Sequence, residues 1–102
     1  MSDFPFSDLH SFKDYVVFVK MCAPSRFPLR EGAGPQWSLD LAFDGLRYGL
    51  DLSERDGAKP SVIDQCRAMV EQALQCYRAN NRREGFRVMQ EMERLLMRLP
   101  SQ

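Results

Sequence analysis

Residues 37–52 read WSLDLAFDGLRYGLDL, and this stretch decides the predicted fold. Read as a helix, it places Phe43 and several leucines on one side. The same helix would enclose Gly45 and Gly49, and each glycine would lower its stability by roughly 1 kcal/mol. Apolar residues also occupy almost every second position, and this alternation changes phase once, at Asp44-Gly45. The alternation is typical of a strand with one buried face.

The single change of phase favours a β-hairpin. Strands over about 37–43 and 46–52 would be joined by a two-residue turn at Asp44 and Gly45. Both central residues of a type I′ turn need positive φ, which aspartate tolerates and glycine adopts freely. In this register all eight apolar residues of the two strands face the same side. Because an isolated hairpin is marginally stable in water, that side needs a cover from the rest of the chain.

Two helices after the hairpin are predicted to provide that cover. Apolar residues recur at three- and four-residue spacing over about 61–79 and again over about 82–99. Pro60 suits the first turn of the first helix, and Asn80-Asn81 interrupts the pattern. Asn81 can cap the second helix, and Pro100 ends it. We therefore predict a C-terminal helical hairpin packed on the sheet.

The N-terminal segment, residues 8–22, is also predicted to be a helix. Ser7 can cap it, and an apolar stripe runs from Leu9 to Ala23. The run YVVFV, residues 15–19, is β-branched and aromatic and would also suit a strand. The stripe favours the helix, and a third strand stays open as the alternative.

A loop is predicted between this helix and the hairpin. Residues 23–36 read APSRFPLREGAGPQ, with three prolines, two glycines and no regular period. Loops of this length are uncommon and are often functional or mobile. The segment can be either a binding lip or a connector that crosses the edge of the sheet.

These elements together predict one small α+β domain over residues 1–102. A chain of 102 residues with 44% hydrophobic content can bury a single core. No apolar run approaches the roughly 20 residues that a membrane span needs, so we expect no membrane contact and a cytoplasmic location. Three cysteines, an odd number, do not indicate a disulfide framework and are expected to be small buried residues.

The sequence offers no catalytic or metal-binding pattern. His10 is the only histidine, and no motif brings it to a nucleophile that it could activate. The cysteines lack the C-x-x-C spacing of a zinc site. We expect no catalytic residues, no metal and no cofactor, and hence a protein that is not an enzyme.

The functional hypothesis is based on the number and the positions of the arginines. Arginine outnumbers lysine eleven to three, and its planar fork of donors is favoured at protein interfaces. The arginines gather at the turn between the last two helices and in the long loop, where side chains can meet a partner. The predicted partner-binding residues are Arg78, Arg82, Arg83 and Arg87 at the turn and Arg26, Phe27 and Arg30 in the loop.

These residues predict a small protein-binding module, such as an adaptor, an inhibitor or an immunity-type factor, whose partner has an acidic surface. One alternative is a subunit of an oligomeric enzyme or a small-ligand-binding protein. Another is a nucleic-acid-binding module; the balance of 14 basic and 14 acidic side chains argues against it, because such modules are strongly basic. The sequence leaves open whether the loop 23–36 and the cluster 78–87 are adjacent.

The last predicted helix carries more apolar residues than one face can hold. Val88, Leu95, Met97 and Leu99 cannot all face the same way on a helix. Apolar surface left over after the core is filled indicates an interaction site. A homodimer is therefore the second kind of assembly that the sequence suggests.

Overall fold

The computed structural model describes residues 4, 6–23, 25–29 and 36–99, and within them the chain forms four helices and no strand. The predicted α+β class is therefore wrong, and the described chain is all-α. The helices are α1 (Leu9–Cys22), α2 (Leu39–Arg55), α3 (Pro60–Arg78) and α4 (Arg82–Met97).

The four helices form a closed ring in which each packs against the next and α4 packs against α1. Contacts at each of the four interfaces show that neighbouring helices are antiparallel, and the α1–α4 pair is an example. Lys13, near the start of α1, donates to the carbonyl of Leu99 just beyond α4, whereas Lys20 in the last turn of α1 lies over Phe86 near the start of α4. The ends of α1 and α3 and the starts of α2 and α4 therefore meet at one end of the bundle.

Residues 37–52, predicted to be a β-hairpin, lie mostly in helix α2. The side chain of Ser38 caps this helix by accepting a hydrogen bond from the Leu41 amide at 3.1 Å. Asp44 and Gly45, the predicted turn, lie inside the helix. The strands 37–43 and 46–52 and the sheet they would form are thus corrected to one helix of 17 residues.

The two glycines that argued against a helix are the residues on which α1 packs. The rings of Tyr15 and Phe12 lie against the α2 backbone at Gly45 and Gly49, where a Cβ would overlap them. The Tyr15 hydroxyl also donates to the carbonyl of Ala42 at 2.8 Å. The loss of helix propensity at the glycines is offset by the close approach of two buried aromatic side chains.

The alternating pattern arises because α2 carries a second apolar stripe. Tyr48 and Leu52 lie off the side that faces the core centre, yet both are half-buried and pack on the core. The Tyr48 ring lies 5.8 Å from the rings of Phe4 and Phe6, which precede α1. Two stripes on one helix place apolar residues at nearly every second position, as in a strand.

The other predicted helices are confirmed. The N-terminal helix is α1, so the run 15–19 is helical, and the predicted helices 61–79 and 82–99 are α3 and α4. The cap of α1 is Asp8 rather than Ser7: Asp8 accepts from the Ser11 amide at 2.8 Å, and Ser11 accepts from the Asp8 amide at 3.2 Å. The predicted loop 23–36 contains neither helix nor strand in its described residues.

The core lies inside the ring of helices and is lined by all four. Cys66 is buried there, and burial raises the pKa of its thiol to about 11; Cys22 and Cys76 are half-buried. No described helix is long and apolar enough to span a bilayer. The largest fully buried side chains are Phe12, Phe43, Leu46, Leu50, Ile63, Met89, Met92 and Leu96.

Candidate protein-binding surface

The start of the predicted loop and the predicted turn lie at the same end of the bundle, called here the arginine end. The loop continues from the end of α1, where the Arg26 amide donates to the carbonyl of Cys22 at 2.7 Å. The ring of Phe27 is half-buried, with its centroid 6.0 Å from Phe18 and 6.3 Å from Trp37. Phe27 thus anchors the loop, and Arg26 is exposed beside it. Arg30, the third partner-binding residue predicted in the loop, lies outside the described residues.

Residues 79–81 form the turn between α3 and α4. The other four predicted partner-binding residues lie on either side of it, Arg78 before the turn and Arg82, Arg83 and Arg87 after it. Asn80 has φ of 63°, a left-handed conformation that asparagine tolerates at the end of a helix. The Asn81 amide donates to the carbonyl of Cys76 at 2.7 Å and so closes the turn. Because the turn is tight, Arg78 ends α3 only four residues before Arg82 begins α4.

Two of the four turn arginines are neutralised within the chain. Arg78 pairs with Asp40 in the first turn of α2, at 2.5 Å. Arg87 pairs with Glu84, one turn earlier on α4, and this contact lowers the pKa of the Glu84 carboxyl. Arg78 and Arg87 therefore add little net positive charge to the arginine end.

The other two, Arg82 and Arg83, are exposed and form no ion pair within the described part of the chain. They are the first two residues of α4, and the side chain of Asn81 does not cap this helix. The start of a helix carries partial positive charge on its free amides, so cations there are electrostatically unfavourable. The start of α4 therefore holds two unpaired cations beside its free amides, and the one carboxylate of its first turn, Glu84, pairs with Arg87.

Exposed apolar side chains lie at the same end of the bundle as these two arginines. Phe86, one turn further along α4, keeps 41% of its surface exposed, and the Lys20 ammonium lies 5.6 Å from its ring centroid. Met21, near the end of α1, is 65% exposed. Arginine next to exposed phenylalanine and methionine is the composition enriched at protein interfaces. The sequence assigned Phe86 to the core stripe, because its spacing from Met89 fits either location.

His10 lies far from Cys22, the cysteine on the same helix. His10 and Cys22 lie near opposite ends of α1, about 18 Å apart at the rise of an α-helix. Burial raises the pKa of the Cys22 thiol, which disfavours the thiolate that a nucleophile requires. Within the described ranges no three side chains of histidine, cysteine, aspartate or glutamate come together as metal ligands.

A groove of about 910 Å³ opens at the other end of the bundle. It lies between the start of α1, the α2–α3 turn and the end of α4. Its apolar floor is bordered by two basic and two acidic side chains. The lining residues are Asp8, Leu9, Asp56, Gly57, Ala58, Lys59, Val62, Leu95, Arg98 and Leu99.

Comparison of the chain with models of protein families, with curated proteins and with solved structures finds no match, so the geometry above carries the functional argument by itself.

Proposed function

We propose that this protein is a non-enzymatic, cytoplasmic protein-binding module, of the adaptor, inhibitor or immunity type, whose arginine end binds an acidic surface of another protein. The observation that carries the proposal is the pair Arg82 and Arg83. Both are exposed, lack an internal carboxylate partner among the described residues, and occupy the positive end of a helix.

The position of this pair lowers the stability of the fold, which supports a role in binding. Two cations at the start of α4 oppose the helix dipole by a few tenths of a kcal/mol each, by the usual magnitude of this effect. Residues that destabilise their own helix and have no compensating contact inside the protein are typical of functional sites. An acidic partner would supply the missing negative charge and speed association.

The neighbouring side chains add contact area to the charge. Phe86, one turn along α4 from the pair, and Met21, near the end of α1, offer exposed apolar surface at the same end of the bundle. The Phe27 ring fixes the start of the loop against Phe18 and Trp37, at the same end of the bundle as the turn. Ordered aromatic groups bind with little loss of conformational entropy.

A nucleic-acid-binding module fits this surface less well. Affinity for nucleic acid comes mainly from many arginines and lysines that neutralise phosphates. Here Arg78 and Arg87 already pair with carboxylates, and basic and acidic residues balance over the whole chain. For a small-ligand-binding protein, the supporting observation is the groove at the other end, whose volume lies in the range of ligand pockets.

The test compares the proteins captured by the tagged wild-type chain and by the Arg82→Glu/Arg83→Glu variant from a lysate of its own cells. Quantitative mass spectrometry should show one partner, or a small set, whose capture falls about tenfold or more with the variant. Capture of the same proteins should also weaken as the salt concentration rises, because exposed charges are screened.

The matched control is Arg55→Glu/Arg98→Glu, which changes the net charge equally at the opposite end of the bundle. Both of these arginines are exposed. The control should capture the partner as the wild type does. Equal loss with both variants would indicate a nonspecific effect of charge, and undiminished capture with Arg82→Glu/Arg83→Glu would refute the arginine end as the binding surface.

A further inference from the structure

The outer side of the α1–α4 pair carries a partly apolar stripe, called here the α1–α4 seam. On α4 it consists of Phe86, Gln90, Glu93 and Met97, whose spacing places them on one side of the helix. From α1 it includes Lys20, which contacts both Phe86 and Glu93. Phe86 and Met97 remain 41% and 46% exposed.

The outer side of the α2–α3 pair is different, because ion pairs cover it. Arg47 binds Glu71 through two hydrogen bonds of 2.8 Å. Arg67 pairs with three carboxylates, those of Asp51, Glu54 and Asp64. None of the large apolar side chains that are exposed among the described residues lies on α2 or α3. The exposed large apolar side chains on the described helices thus lie on α1 and α4.

The seam offers no net charge to a partner. Its two charged residues, Lys20 and Glu93, lie 2.7 Å apart as an ion pair, and their side chains are only 13% and 21% exposed. Glu93 Oε1, the oxygen that contacts the Lys20 ammonium, is buried and makes no hydrogen bond of good geometry among the described residues, so it is not open to a partner. A strongly acidic or basic partner would gain nothing here, whereas a neutral, partly apolar surface would fit.

The order of residues along the seam is self-complementary. If two copies of α4 cross antiparallel about a two-fold axis midway along the stripe, Phe86 of one copy faces Met97 of the other. The same axis places Gln90 opposite Glu93. A thioether against an aromatic ring and an amide donating to a carboxylate are both favourable contacts. An isologous interface needs this kind of self-complementary patch.

We propose that a second copy of this chain covers the α1–α4 seam and forms a two-fold symmetric homodimer with Phe86 against the partner's Met97. This inference goes beyond the binding of another protein at the arginine end and does not rest on it; Phe86 lies on both surfaces, so a partner that covers it would compete with the second copy. The apolar contact is small, so the dimer should be weak, with a Kd of about 10–100 µM.

The test measures the mass of the protein in solution by sedimentation equilibrium across that concentration range. The wild type should change from monomer to dimer as its concentration rises. Phe86→Glu should raise the dimer Kd at least tenfold, because the new carboxylate replaces the apolar contact. The matched control is Gln72→Glu, which changes the net charge equally on an exposed position of α3 and should leave the Kd unchanged.

A mixture of two variants tests the register directly and guards against a misfolded single variant. Met97→Lys alone should also weaken the dimer. Mixed with the Phe86→Glu protein, it should restore dimerisation, since one copy's carboxylate then faces the other copy's ammonium. A wild type that stays monomeric across the range, a dimer that Phe86→Glu leaves intact, or a mixture that does not dimerise would overturn the proposal. Arg82→Glu/Arg83→Glu should dimerise normally, which separates this outcome from failure of the arginine end.

Discussion

The ring of Phe12 in α1 rests on the backbone of α2 at Gly49, in the space that a side chain at residue 49 would fill. The contact sets the distance between the two helices, because no side chain at residue 49 separates the ring from the α2 backbone. Phe12 is fully buried as a result.

Gly49→Ala should therefore destabilise the protein, although alanine in a helix normally stabilises it by about 1 kcal/mol relative to glycine. The added Cβ overlaps the Phe12 ring and forces the helices apart, at a cost of about 1–3 kcal/mol. Urea unfolding of the two proteins measures the difference in free energy of unfolding. In a double-mutant cycle, Gly49→Ala should cost less in a Phe12→Leu background. A more stable single variant would show that the contact does not limit the packing.

Tyr77→Phe should raise the free energy of unfolding by about 1 kcal/mol, because it removes a buried polar group that lacks a partner. The Tyr77 hydroxyl has no hydrogen-bond partner in the described chain, and burial raises its pKa to about 12. Tyr15→Phe is the matched control with the opposite expected sign, since the Tyr15 hydroxyl donates to the Ala42 carbonyl. Thermal and urea unfolding measure both. Equal effects of the two changes would contradict the assignment.

The ion pair of Arg47 with Glu71 should make stability depend on pH in acid. Hydrogen bonds from Arg47 lower the pKa of Glu71 below its ordinary value of 4.5. A carboxyl whose folded-state pKa is lowered stabilises the fold above its unfolded pKa, and that contribution is lost as the pH falls through the folded value. Glu71→Gln should flatten the decline of Tm below about pH 4.5. Arg47→Gln should do the same, and the double variant should add nothing further.

Arg82→Glu/Arg83→Glu should raise Tm, because acidic residues suit the start of α4 better than arginines do. The expected gain is roughly 0.5 kcal/mol for each substitution. Arg55→Glu, in the last turn of α2, should lower Tm because a cation is favourable there. Differential scanning calorimetry at low salt measures all three proteins. A lower Tm for the double reversal would mean that these arginines stabilise the fold. It would contradict the inference that they are kept for binding at the expense of stability.

The sequence predicted the helices with one apolar stripe and failed where a helix has two. The C-terminal hairpin and α1 follow a single 3.6-residue period and were identified with boundaries close to those observed. In α2 the second-stripe residue Tyr48 packs on Phe4 and Phe6, which come from a distant part of the chain, so local periodicity cannot account for its burial. The four-residue spacing of Gly45 and Gly49 was the available signal, since small residues at that spacing let another helix approach.

The candidate surface was predictable in its residue types but not in its charge balance. Clustering of arginines around residues 78–87 is visible in the sequence, and Glu84 could be assigned to Arg87 from its helical spacing. The pairing of Arg78 with Asp40 depends on the packing of α3 against α2 and has no sequence signal. That Arg82 and Arg83 alone keep their charge unpaired among the described turn arginines therefore required the structure.

The ring of antiparallel helices also has a consequence for folding kinetics. Three of its four interfaces join helices that follow one another in the chain, and only the α1–α4 interface joins distant segments. Folds dominated by sequence-local interfaces reach the native state quickly. If the α1–α4 interface closes after the rate-limiting step, substitutions of Lys20 or Glu93 will accelerate unfolding and leave the refolding rate nearly unchanged, as stopped-flow measurements would show. The α1–α4 interface would then contribute most to the native protein's resistance to unfolding and least to its folding rate.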